Sequence, residues 1–119
     1  MPLAMGQIFT VSVPFIGTLT ADNYVDFKLP FDAQLIAVSA DGDTQNFNVK
    51  VGTTADDDAY VNTTDGAVTA GTILLLDAKG DFVGDQYPDI ARDTLIRVTY
   101  DHTGANTVDV MIVLWFSIG

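Results

Sequence analysis

The segment Thr107–Ile118 constrains this chain most, because it is apolar on both of its faces. At the period of two that a strand imposes, Val108, Val110, Ile112, Leu114, Phe116 and Ile118 point one way. Asp109, Met111, Val113, Trp115 and Ser117 point the other. One row can fill the core of a β-sandwich. The second then needs a cover of its own, from elsewhere in the chain or from another subunit.

The acidic residues point to the same class. All 16 acids are Asp, set against five Lys and Arg, for a net charge of −11. Aspartate favours turns and strand ends, where its short carboxylate bonds nearby amides, whereas the absent glutamate is a helix former. The charge repels phosphate backbones and no basic patch offsets it, so nucleic-acid binding is not expected. No apolar run approaches the roughly 20 residues of a membrane helix, and Met1 to Gly6 lacks the basic start and apolar stretch of a signal peptide. With 119 residues and 12.7 kDa, the chain is expected to form one domain over 1–119.

No window repeats apolar positions at helical spacing, while short alternating runs recur between turn residues. Strands are expected over 7–13, ending at Pro14, and over 24–29, 34–40 and 46–51, the last with Phe47, Val49 and Val51 inward. A short strand near 59–62 and another over 72–77 follow. The connection 78–92 is long but carries Phe82, Tyr87 and Ile90 as apolar anchors. Segments 94–101 and 107–118 close the chain as a hairpin around residues 102–106. The expectation is an all-β fold, an antiparallel β-sandwich of jelly-roll type with seven to nine short strands.

Catalytic chemistry finds little to work with. His102 beside Asp101 lacks a partner nucleophile: Ser12, Ser39 and Ser117 are not in a Gly-x-Ser-x-Gly turn, and there is no cysteine. A loop histidine that is solvated or bonds its own turn is the simpler reading, and one histidine cannot build a zinc shell. Asp56 to Asp58, and Asp41 with Asp43, offer oxygen ligands but not the spacing, central Gly and closing Glu of a calcium loop, so they read as solvated acidic turns. Carboxylate pairs at glycosidase separation would arise by chance among so many aspartates. Tyr24, Tyr60 and Tyr87 offer a sugar-stacking platform, whereas Tyr100 continues the inward row of Ile96 and Val98. No metal and no cofactor are expected.

Several stretches resemble small jelly-roll virion proteins of tailed bacteriophages: Thr10 to Phe15 with its Val-Pro-Phe ending, the step Gly17 to Thr20, and the link Leu29 to Leu35. Phe47 to Thr54 followed by acids, Asp93 to Asp101, and the closing segment with its Gly-Ala-Asn turn are similar too. The resemblance implies a non-enzymatic structural protein of the virion, assembled in the host cytoplasm. A capsid decoration (cement) protein is the first choice, followed by a head-fibre or tail accessory protein. It also implies a homo-oligomer, a trimer foremost, in contact with other virion proteins. Met111, Val113 and Trp115 are the expected subunit contact, unless the 78–92 connection lies over them. The alternative is a carbohydrate- or receptor-binding sandwich module.

Overall fold

A computed structural model describes residues 7–42 and 45–118. Nine strands and no α-helix are found among them. In chain order they are β1 (Gln7–Leu19), β2 (Asn23–Phe27), β3 (Ala33–Asp41), β4 (Phe47–Thr53) and β5 (Ala67–Val68), then β6 (Leu74–Leu76), β7 (Asp89–Ile90), β8 (Ile96–Asp101) and β9 (Thr107–Ile118). They form two antiparallel sheets packed as a sandwich, as expected for an all-β chain. Sheet 1 runs β1-β9-β3-β6, with β7 also on β3, and sheet 2 runs β2-β8-β4-β5. If β7 is set aside, every connection except β4 to β5 changes sheet.

Alternation explains the core. Phe47, Val49 and Val51 of β4, Ile96, Val98 and Tyr100 of β8, and Val110, Ile112, Leu114 and Phe116 of β9 are all essentially inaccessible. Each such side chain withdrawn from water contributes roughly 1.5–3 kcal/mol. The rings of Phe9, Phe27 and Phe116 stack or meet edge to face, and Tyr100 lies between Phe15 and Phe47. Phe82 and Ile90 are buried in the same core, and Tyr87 packs edge-on to Phe82.

Several boundaries differ from the sequence reading. β1 passes through Pro14 and continues to Leu19, because β1 is an edge strand, where a residue without an N–H is tolerated. The expected strand near 59–62 is a single bridge between Val51 and Val61, and only Leu74–Leu76 of 72–77 is paired. The closing hairpin does not exist: β8 pairs with β2 and β4, whereas β9 pairs with β1 and β3, so residues 102–106 cross between the sheets. Val108 is also turned outward. Asp109 takes a left-handed φ of 54° opposite the irregularity at Gly17, φ 91°, where β1 gains a residue. The Asp109 carboxylate fixes this step by accepting from the Gly17 N–H at 2.7 Å.

Candidate functional site

The outer faces of the two sheets carry opposite chemistry. On sheet 2 the outward rows are Tyr24, Thr99 and Lys50; Asp26, Arg97 and Gly52; and Asp101 with Asn48. Several of these side chains are paired, whereas the buried Thr99 hydroxyl has no hydrogen-bond partner among the described residues. Arg97 forms a two-point contact with Asp26, Nε at 2.8 Å and Nη2 at 3.0 Å, and its guanidinium lies 3.9 Å from the centre of the Tyr24 ring. Lys50 reaches Asp57 at 3.0 Å, and Asn48 donates to Asp101 at 3.2 Å. The hydrogen bond that Arg97 donates lowers the Asp26 pKa below the usual carboxylate value, and the one that Lys50 donates to Asp57 raises the Lys50 pKa.

Sheet 1 mixes apolar and small polar groups on its outer side, with its acids towards the two ends. Its level rows are Ile8, Ser117, Gln34 and Asp89; Thr10, Trp115 and Ala37; Ser12, Val113, Ser39 and Leu75; and Pro14, Met111 and Asp41. Met111 is 40% exposed, while Val113 and Trp115 are half-buried by their neighbours. Four further apolar residues are more open: Ile16 at 76%, Ile73 at 69%, Ile8 at 64% and Leu75 at 56%; the sequence marks the run Ile73 to Leu76 as apolar on both faces but does not single out Ile8 or Ile16. Their signal lay in parity, since Ile8 and Ile16 share the phase of Ser12 along β1. The 78–92 connection does not supply the cover, because its anchors Phe82 and Ile90 are in the core.

The other candidates are held in local structure. His102 bonds within its own turn: Nδ1 accepts from Gly104 N–H at 3.3 Å, and Nε2 lies 3.1 Å from Asn106 Oδ1. Its backbone N–H donates to Asp22, and that of Arg92 donates to Asp32. These carboxylates, like Asp109, tie distant loops together, which is the structural use of an aspartate-rich composition. The oxygens of Asp56, Asp57 and Asp58 lie within 4.8 Å of one another, and the contact with Asp56 raises the Asp58 pKa. Asp43 lies outside the described residues. The tyrosines do not gather on one face: Tyr24 is stacked by Arg97, Tyr87 packs on Phe82, and Tyr100 is buried.

No family model matches the chain, and no curated protein matches it. Among solved structures, it is similar to a chain of the "Cyanophage Pam1 capsid asymmetric unit", at 18% identity and a TM-score of 0.55. The match covers 96% of this chain and 86% of that one, so the two are of similar length and share a fold over nearly their whole extent.

Proposed function

We propose that the chain is a non-enzymatic structural protein of a phage particle, a capsid decoration protein that self-associates and sits on the shell. One observation carries this reading: an outer face on which Ile8, Ile16, Leu75 and Met111 stand open, on a fold shared nearly end to end with a chain of a phage capsid unit. The strand order, with nearly every connection changing sheet, supports a jelly-roll description of that fold. A chain this small gains a stable position by binding other copies and the shell through buried apolar area, with Met111, Val113 and Trp115 in the contact. Charge does not drive the contact. Virion, partner and homo-oligomer follow from the same face.

Electron cryomicroscopy of particles that carry the protein tests the role. The expected image has a sandwich-sized density on the outer surface of the shell, missing from particles made without this chain. Purified particles that lack the chain by mass spectrometry would overturn the reading.

A further inference from the structure

The two long sides of the sandwich are closed unequally. On the side of β6 and β7 the 78–92 connection bridges the sheets: Phe82 is buried, and Val83 N–H donates to the Tyr60 carbonyl at 3.0 Å, beside the bridge between Val51 and Val61. On the opposite side, between β1 and β2, the inner rows stay partly open. Phe9, Val11 and Phe27 are half-buried, and Val25 is 38% exposed although Val98, level with it on β8, is inaccessible. β1 is also the edge of sheet 1, with no strand beyond it among the described residues.

We infer that this seam accepts an extended segment of another protein, which adds a strand to β1 over residues 7–13 and lays alternate apolar side chains over Phe9, Val11 and Val25. The occupant rests on the reading that the chain meets other proteins of the particle. The site itself is separate from the outer face of sheet 1.

The register fixes what the edge offers. Leu35 N–H donates to the Pro88 carbonyl at 3.0 Å, on the side away from β9, so Gln34 turns towards β9 and its level partner Ser117. Ser117 then faces β3, and Ile8, level with it on the other side, turns its N–H and C=O away from β9. Alternation gives Thr10 and Ser12 the same direction. It gives Pro14 that direction too, and a residue without an N–H there removes no bond to β9. The edge therefore presents the N–H groups of Ile8, Thr10 and Ser12 in a row that Pro14 ends.

Charge names the occupant. β1 has no charged residue over its 13 positions and so lacks the usual charged defence of an edge. The chain around it has a net charge of −11. A segment that is uncharged at its centre and basic at its ends suits both, whereas edge-to-edge pairing of two copies sets two strongly acidic chains side by side.

Nuclear magnetic resonance of the full chain, titrated with the peptide acetyl-Lys-Val-Thr-Val-Thr-Val-Lys-amide, tests the site. The peptide is expected to slow exchange of the Ile8, Thr10 and Ser12 amide protons, and a version with Asp at both ends should bind more weakly. Thr10→Pro removes one outward N–H, as Pro14 already does, and should weaken binding about tenfold with the far-ultraviolet spectrum unchanged. Should that variant fail to fold, Val25→Lys puts a charge in the seam at a position already open to water, and a similar loss is expected. Amides of Ile8, Thr10 and Ser12 left unprotected at millimolar peptide, or unchanged binding by either folded variant, overturn the site. Equal binding of the Asp-ended peptide overturns the basic occupant. Protection present without peptide and lost on dilution assigns the edge to a second copy and overturns the partner named here. None of these results touches the virion role, which the particle image decides.

Discussion

The outer faces of sheets 1 and 2 are built on the same strand geometry but relate to water in opposite ways. On sheet 2, Arg97 pairs with Asp26 and lies over the Tyr24 ring, and Lys50 pairs with Asp57. On sheet 1, Ile8, Ile16, Ile73, Leu75 and Met111 stand open, with Asp41, Asp89 and Asp109 towards the two ends of the face. The difference shows that a strand's inner row builds the fold, while its outer row is free to state what the fold meets. β9 carries both messages in one segment. Its inner row is as buried as any in the molecule, and its outer row belongs to the unpartnered face.

Substitutions on β9 sharpen this contrast most. Phe116→Ala on the inner row is expected to cost about 3–5 kcal/mol, as for other large aromatic truncations in cores. Val113→Ala on the outer row should cost less than about 1.5 kcal/mol when copies are kept apart by dilution. Urea unfolding of both variants measures the gap, and equal costs would break the distinction between the rows.

A smaller effect belongs to Asp109, an acid of sheet 1 with a structural task. Asp109→Ala removes the acceptor for Gly17 N–H and places alanine at a left-handed φ. A loss of about 1–2 kcal/mol is expected. Asp109→Gly should recover part of it by relieving the backbone, and full recovery would show that the hydrogen bond contributes nothing.

On sheet 2 the expected changes are slight and depend on pH. The Asp26 pKa is lowered in the folded state by its hydrogen bond to Arg97, so the pair's contribution is present above the ordinary carboxylate value. It is lost as pH falls through the folded value. Being exposed, it amounts to less than about 1 kcal/mol. Asp26→Asn should remove that acid-side slope from the stability profile, and added salt should reduce it. Asp58 has the opposite sign. Its pKa is raised by Asp56, first through their contact, so folding is opposed at neutral pH and the opposition is relieved on acidification. Asp58→Asn should raise the melting temperature slightly at pH 7 and not at low pH, where the wild-type group is already protonated. A lower melting temperature at pH 7 would show the triad to be stabilising instead.

Much of the fold was legible because burial writes a period of two into sequence. The alternation in β4 identified Phe47, Val49 and Val51, and the double apolar row of β9 identified the core strand. Pairing left no such mark. Side-chain parity tells which residues point inward but not which strand lies alongside, so β8 and β9 read as a hairpin although they belong to different sheets. The same parity failed at Val108, where Asp109 and Gly17 reverse the phase through positive φ angles. Pro14 read as a stop because its tolerance depends on β1 lying at an edge, a property of the whole sheet. Part of the rim was hidden for that reason too: Ile16 becomes significant only when β1 is known to be a margin, whereas the run Ile73 to Leu76 already read as apolar on both faces.

Light scattering across a concentration series, on the wild type and two charge variants, tests the outer face of sheet 1 most directly. The account predicts a mass of several times the 12.7 kDa chain for the wild type and for Tyr24→Asp on sheet 2, and a single-chain mass for Val113→Asp with its fold retained. A wild type that stays at one chain mass at tens of micromolar, or a Val113→Asp variant that assembles as before, would contradict it.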